Sequence, residues 1–339
     1  MTRSGDRLAR EFAASARQGA SAVETAELIS RALAPVVAHD AVRLAGSNPA
    51  PGWDMGSFGF WHGYEPALVV ELQNRYFLGD DPWAVDAIAR RPVPVAMLGV
   101  GDHGAQRLLA EHGVGCELRL VLRDGRGVWG VLTLARELGG RPFDAVDARR
   151  VLDLTPELIA ALRGYVMAVP LQSGAPALPP GVVIMGPDNR VKTATPQAYR
   201  WKEQLSRERG VPAWMGELFF AGLAMRARDP HAVPSTVYGP SVTYGRWTGF
   251  HAELLPETGE VAMVIEAASG KQLLPVFCDW YGITARERQV LTEVLDGAPP
   301  KRIAGRLGVS PYTVNDHLKA IFRKTGAGGR DELVTAVTG

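Results

Sequence analysis

The stretch from Gly282 to Val337 leaves this chain least freedom, because its punctuation dictates short helices and the turns between them. Thr284 followed by Glu287 is a capping box, in which each side chain satisfies the other's orphan backbone donor at a helix start. The helix it opens carries Val290, Leu291, Val294 and Leu295 on one stripe and stops at Asp296-Gly297, where Gly suits a left-handed cap. A second short helix from Pro300 buries Ile303, Ala304 and Leu307 and ends at Gly308. Ser310-Pro311 then supplies an N-cap and a pre-set first helical residue, so a third helix begins after a turn of about three residues. Two short helices joined by so tight a Gly-containing turn match the supersecondary unit that reads DNA.

On the third helix, Val314, Leu318, Ile321 and Phe322 fall on one face, and Tyr312, Asn315, Asp316, Lys319 and Arg323 on the other, at about 100° per residue. The first face packs; the second is free to meet bases. Lys and Arg donate to guanine, Asn pairs bidentately with adenine, and Asp accepts from cytosine N4. His317 lies at the edge of the packed face and reads as structural.

The segment resembles a LuxR-type DNA-binding domain. The matching residues are Thr284, Arg286, Glu287, Val290, Leu291, Gly297, Lys301, Ile303, Ala304, Leu307, Ser310, Thr313, Val314, His317 and Ile321, with Ile283 for the leading Leu. The resemblance covers about the last sixth of the chain and implies a four-helix domain, 282–339. It puts Lys301 and Thr313 on phosphates and Asn315, Asp316 and Lys319 at base edges; Arg302, Ser310, Tyr312 and Arg323, beside them in the sequence or on the same helix face, complete the candidate DNA contacts. Arg302 stands where the family has Glu, and Asn315 where it commonly has a basic residue, so the family's base preference does not carry over. The loop 325–329 is Gly-rich and precedes the helix Asp331–Val337, which such domains use for dimer contacts.

Length and charge fit a larger regulator around this unit. At 339 residues the chain calls for two or three domains, with 46% hydrophobic residues to build their cores. The net charge is only +1, but from Gly282 onward nine basic residues face six acidic ones, so this segment carries +3 and the rest −2. Few phosphate contacts are then available per copy, and tight binding calls for a homodimer on double-stranded DNA. Cys116 and Cys278 show no metal-ligand spacing, which points to a reducing compartment, and no metal or cofactor is expected. No apolar run reaches the roughly 18 residues of a membrane span and the N-terminus lacks a signal-peptide core, so the expectation is a cytoplasmic protein with no membrane partner.

Along the chain, residues 1–20 are polar, small and Arg-rich and predict a mobile tail or loosely attached helix. A helical stripe from Ala22 to Val37 follows, then a strand-like alternation of Phe58, Phe60 and His62. Cys116 to Arg123 and Val128 to Ala135 flank Asp124-Gly125-Arg126-Gly127, the pattern of an antiparallel hairpin. Arg141-Pro142-Phe143-Asp144 then caps a long helix to about Met167. This order resembles a GAF sensory domain over 21–167. The resemblance implies a small-molecule effector site, with Phe58, Phe60, Tyr76, Trp83 and Trp129 as candidate pocket residues, although aromatic residues at such positions are more often plain core. A Pro/Gly/Ser linker, 168–180, leads to strands and reduced helices resembling a PAS-like domain, 181–270, with strands expected near Ser241–Trp247, Gly249–Leu255 and Glu260–Glu266. Residues 271–281 connect it to the C-terminal unit. His231 and His251 read as loop or surface residues. The fold class expected is thus α+β multidomain: a GAF-like α/β sandwich, a PAS-like domain and a helix-turn-helix.

A different chemistry competes over one stretch. Pro92 to Leu98 is strand-like, and Gly99, Gly101 and Gly104 match the dinucleotide-binding fingerprint, which would make an NAD(P)-binding enzyme fused to a DNA-binding unit. Against it, the next strand folds straight back through the Asp124-Gly125 hairpin, and the intervening helix is short for a crossover. Phosphate-loop, zinc-protease and nucleophile-elbow patterns are missing. The sequence therefore reads as a non-enzymatic, DNA-binding regulator of transcription. Its N-terminal units sense a ligand or only dimerise, and RNA polymerase is a partner if it activates.

Overall fold

The computed structural model describes residues 2–50, 56–77, 81, 83–99, 101, 103–171, 178–209, 213–230, 235–268 and 270–338. The chain builds two five-stranded sheets and a C-terminal group of helices. This is the mixed α/β architecture the sequence implied.

The first sheet is formed within the N-terminal half. Helices α1 (Thr2–Arg17) and α2 (Ala22–Leu33) lead into β1 (Ala41–Ala50) and β2 (Phe58–His62). Then come α3 (Pro66–Phe77), α4 (Val85–Ala89), β3 (Val95–Leu98) and α5 (Gly104–Glu111). The hairpin β4 (Val114–Asp124) and β5 (Gly127–Glu137) follows, and α6 (Ala145–Asp153) and α7 (Thr155–Val166) close the unit. The strand order is β2-β1-β5-β4-β3, antiparallel throughout. Period-two alternation divides the two faces of this sheet cleanly. Val42, Leu44, Cys116, Leu118, Leu120, Leu132 and Leu134 point into the main core with residues of α1, α2 and α7, while Ala45, Val121 and Val131 join Val85 and Ile88 on the other side.

Two expectations are corrected here, and the dinucleotide-binding alternative, already disfavoured by the sequence, is removed. Residues 2–17 are not a tail: Phe12 is fully buried, and Leu8 and Ala16 share its face of α1, which packs along α7. Spacing of four places these residues on one helical stripe, masked in the sequence by the alanines and arginines around them. The long helix after Phe143 is two helices that break at Leu154, where Thr155-Pro156 restarts the second. And β3 pairs antiparallel with β4, so Gly99, Gly101 and Gly104 are not in a parallel βαβ unit. Instead the Gln106 side chain folds over that loop, donating to the Gly99 carbonyl at 2.8 Å and accepting from the His103 amide at 3.2 Å.

The middle unit repeats the first unit's strand order. Its elements are β6 (Gly181–Met185), β7 (Val191–Ala194), α8 (Pro196–Arg209), α9 (Ala213–Arg228), β8 (Ser235–Gly239), α10 (Ser241–Tyr244), β9 (Thr248–Leu255) and β10 (Glu260–Ala267), in the sheet order β7-β6-β10-β9-β8. Counted within each sheet, both orders are 2-1-5-4-3. The strand expected near Ser241–Trp247 is a short helix, α10, because Pro240 sets its start and Gly245, at φ 74°, stops it. Trp201, Phe250, Met263 and Ile265 centre a separate core. His251 lies half-buried on β9 beside Thr236 and Glu266, whereas His231 lies outside the described residues.

Helix α11 (Gly270–Trp280) joins this unit to α12 (Ala285–Leu295), α13 (Pro300–Leu307), α14 (Pro311–Thr325) and α15 (Arg330–Thr338). It is a structural member of the N-terminal core rather than a bare tether. Trp280 is fully buried with its ring 5.3 Å from Trp129 and 5.9 Å from Phe58, and its indole nitrogen donates to Asn48 Oδ1 at 3.0 Å. Asn48 Nδ2 in turn donates to the Tyr238 carbonyl on β8 at 3.2 Å, so one side chain ties the first sheet to both the middle unit and the connector.

Candidate functional site

The C-terminal helices are set by the local chemistry read from the sequence. Thr284 and Glu287 form the capping box of α12, with the Thr284 amide donating to Glu287 Oε2 at 2.7 Å. Gly308 (φ 64°) caps α13, Ser310 Oγ accepts from the Thr313 amide at 3.1 Å, and Gly326 (φ 76°) ends α14. Side chains then bolt the helices together. Arg306 bridges to Glu293 at 2.5 Å, Arg286 donates to the Leu307 carbonyl at 2.7 Å, and Arg330 reaches the Val294 and Ala298 carbonyls.

A pair between half-buried Lys324 and buried Glu287 fixes α14 to the start of α12. Lys324 Nζ lies 2.6 Å from Glu287 Oε2 and donates to the Gly282 carbonyl at 3.0 Å. Burial pushes the Glu287 carboxyl up, but the bonds from Lys324 and from the Thr284 cap outweigh it and hold it below its ordinary value. A carboxyl lowered on folding contributes stability that is fully present above its unfolded value and lost as pH falls through the folded one. The wild type should therefore be more stable than Glu287→Gln at neutral pH, with the difference vanishing in acid. Thermal melts of both proteins from neutral pH down to about pH 3 check this against the ordinary glutamate range, and a difference independent of pH would refute it.

This bracing leaves a defined set of groups facing outward. Val314, Leu318 and Ile321 are buried beneath α14, while Tyr312 is 73% exposed and Asn315, Asp316, Lys319 and Arg323 are exposed beside it. Asp316 and Lys319 form an i,i+3 pair at 3.7 Å on that face. Lys301 and Arg302 are exposed at the first turn of α13. Ser310 is exposed but spent on the cap, and its hydroxyl and that of Thr313 lie 2.9 Å apart. His317 is half-buried, as a structural residue would be. On α15, Leu333 and Val337 are buried within the chain, and Asp331, Thr335 and Thr338 face solvent.

A second feature lies between the first two units: a cavity of about 840 Å³. One wall is the face of the first sheet opposite its core, with Arg43, Trp61, Glu117, Arg119 and Thr133. The other is the middle unit's α8, α9 and β9, where Tyr199, Phe219 and Phe250 stand. Glu117 and Arg119 of the first wall form a network with Asp81 and Tyr64. Arg119 lies 2.8 Å from Glu117 and 2.5 Å from Asp81, and Tyr64 Oη donates to the other Glu117 oxygen at 3.0 Å. Burial alone would lower the Arg119 pKa, but the two carboxylates hold it above its ordinary value. Burial and the adjacent Glu117 raise that of Tyr64, which stays a donor.

The aromatic residues singled out from the sequence fall in several places. Phe58 and Phe60 pack on the core side against Tyr165, at 5.6 and 5.0 Å, and also border the cavity, which wraps the edge strand β2. Trp129 is fully buried on the core side beneath Trp280. Trp83 is half-buried under the Arg91 guanidinium at 4.1 Å, and the side chain of Tyr76 lies outside the described residues. Sequence reasoning missed Arg43, Trp61, Tyr64, Asp81, Glu117 and Arg119. The available signal was the alternation Cys116-Glu117-Leu118-Arg119-Leu120, whose charged positions look the same whether they face water or a cavity. Among the described residues no helix is long and apolar enough to cross a membrane.

Comparison with known proteins bears on the C-terminal unit. A curated relative, the monoamine regulon transcriptional regulator of Klebsiella aerogenes, is 45% identical over 53 residues, which is 16% of this chain and 23% of the relative. This chain thus spans about a quarter of the length of that relative. Similar solved structures include the N-acylhomoserine lactone dependent LuxR family transcription factor CepR2 from Burkholderia cenocepacia, at 18% identity and a TM-score of 0.34, covering 48% of this chain and 95% of that one. Another is SdiA of Escherichia coli, at 15% identity and a TM-score of 0.33, covering 97% and 94%. A third is the phycoerythrobilin-bound GAF domain of a cyanobacterial phytochrome, at 13% identity and a TM-score of 0.30, covering 48% and 95%. Residues 282–337 match the family model of bacterial regulatory proteins, luxR family, and the helix-turn-helix built by α12 to α15 belongs to that family.

Proposed function

We propose that this chain is a transcriptional regulator that binds double-stranded DNA as a homodimer in the cytoplasm and has no catalytic activity. The observation that carries the reading is the outward face of α14, where Tyr312, Asn315, Asp316, Lys319 and Arg323 stand exposed on a helix braced from behind. In this reading α13 holds the phosphate backbone through Lys301 and Arg302, and α14 enters the major groove. The GAF-like unit, 21–167, and the PAS-like unit, 181–270, sense a small molecule or present the two DNA-binding units to the operator. The unit boundaries fall at the linker 168–180 and at the connector 271–281, which packs on the first unit, and RNA polymerase is the further partner if binding activates.

Arg286, Arg306, Lys324 and Arg330 are all engaged within the unit, which supports assigning the phosphate contacts to Lys301 and Arg302. Replacing both by Ala should weaken binding to every sequence alike and reduce the salt slope by about one to two units per copy. A salt titration measures this, and an unchanged slope would take those residues off the backbone. Asn315→Ala should instead cost about 1–3 kcal/mol at a single operator position and relax the preference there. Affinities across single-base operator variants give the answer: equal loss at all of them argues against a base contact.

A further inference from the structure

We propose that the cavity between the first two units is a composite site for an uncharged, largely aromatic small molecule held by both units at once. This rests on the reading that these units sense an effector, and specifies where that effector sits and what its chemistry is.

The composite character follows from the walls. The cavity's 840 Å³ is that of a site for a drug-sized molecule. Neither sheet encloses it alone: Trp61 and Thr133 line it from the first unit, and Tyr199, Phe219 and Phe250 from the second. The walls are also fastened to each other. Tyr244, whose ring is 5.4 Å from Phe250, donates its hydroxyl to the Ser57 carbonyl at 2.6 Å, just before β2. A molecule in the cavity therefore touches side chains whose backbones belong to both sheets.

The ligand's lack of charge follows from the polar floor. Glu117 accepts from Tyr64 at one oxygen and from Arg119 at the other, and Asp81 accepts from Arg119 and from the Trp83 amide. Arg43 is engaged too, with its guanidinium over the Trp61 ring at 4.5 Å. A charged ligand seated on this floor would have to break one of the pairs among Glu117, Arg119 and Asp81 and strand a buried charge, which costs more than a new contact returns. The remaining charges lie at the solvent side: Arg190 is exposed, and Lys202 and Glu217 form a pair with both side chains substantially exposed. What the interior offers is ring faces. Phe219 lies edge-to-face with Phe250 at 4.8 Å and with Phe220 at 5.9 Å, an arrangement that a further aromatic ring can extend.

Two glycines allow the cavity to be filled from either side. A Cβ on Gly59 of β2 would meet nothing closer than 3.6 Å, and one on Gly216 of α9 nothing within 4 Å. Gly59→Val suits a strand and Gly216→Phe sits on a helix that glycine weakens, so both variants should fold. The full-length protein is titrated with N-phenyl-1-naphthylamine, a neutral probe, and with 8-anilinonaphthalene-1-sulfonate, its sulfonated counterpart, by fluorescence, with unfolding temperature as the folding control. The neutral probe should bind at least about tenfold tighter than the sulfonate, and each filling substitution alone should weaken it by about tenfold or more, a difference near 1.4 kcal/mol. Sulfonate binding as tight as, or tighter than, the neutral probe overturns the proposed chemistry while leaving an effector site in place. If one filling substitution leaves the neutral probe unaffected, the site belongs to a single unit and the composite proposal falls. If the wild type binds neither probe, both the proposal and the effector reading fall.

Discussion

Trp280→Ala should be among the most damaging single changes in the chain, lowering stability by about 3–5 kcal/mol. The indole is fully buried at the end of α11, in contact with Trp129 and Phe58, so truncation opens a cavity where the connector meets the first sheet. It also removes the donor to Asn48 Oδ1, a buried acceptor whose loss of its partner adds a penalty of its own, about 1–3 kcal/mol before relaxation. Trp280→Phe should recover most of the packing and none of the hydrogen bond, so it should fall between wild type and Ala. The comparison is made by denaturant unfolding of the three full-length proteins. A loss under about 1 kcal/mol for Ala would mean that α11 does not rest on the sheet in solution. The functional consequence follows from what flanks Trp280. Arg163 donates to its carbonyl at 3.2 Å, and the Arg163 guanidinium stands where a Cβ on Gly282 would fall, 2.5 Å away. Gly282 opens the DNA-binding unit at φ 65°, so the orientation of that unit is set by packing around Trp280 and not by a slack linker. Loosening it should therefore alter operator affinity even though no residue on DNA has changed.

How much of this was legible depended on whether the determinant was local. The helix-turn-helix could be read almost residue by residue, because Thr284, Gly308, Ser310 and Gly326 each act on their own neighbours. The β4–β5 hairpin was legible for the same reason, through its Asp124-Gly125 turn. Helix α1 was not: Leu8, Phe12 and Ala16 are the apolar residues that mark its stripe in the core, and what fixes them is α7, about 150 residues away. The cavity illustrates a second limit. Alternation in β2 is plain, but aromatic residues stand on both faces: Phe58 and Phe60 pack against the core, while Gly59 and Trp61 face the other way. A one-residue change of phase exchanges the two faces of a strand, and nothing within the strand says which face meets a partner. Glu117 and Arg119 were hidden by the same ambiguity. Their identity as a buried network needs Tyr64 and Asp81, which come from separate loops.

That network leads to the second large effect. Arg119→Met should destabilise the protein by about 3–5 kcal/mol, because Arg119 is the cation between two carboxylates whose side chains are only 2% and 7% exposed. The loss arises from the charges left behind more than from the bonds removed. Replacing the acids as well, in Arg119→Met with Glu117→Gln and Asp81→Asn, should therefore restore much of the stability, although it removes more of the native side chains. Such a reversal cannot come from packing alone, since each added substitution would then add its own cost. Denaturant unfolding of wild type, single and triple variants measures it, and a triple variant less stable than the single one would show that shape rather than charge holds this wall. The result also bears on the cavity. If a charge-free wall is tolerated, the ion network serves to hold α4 and the segment around Asp81 against β4 and to shape the site. A ligand would then find Glu117, Arg119 and Asp81 already paired, so that an ionic group could reach them only by displacing a partner.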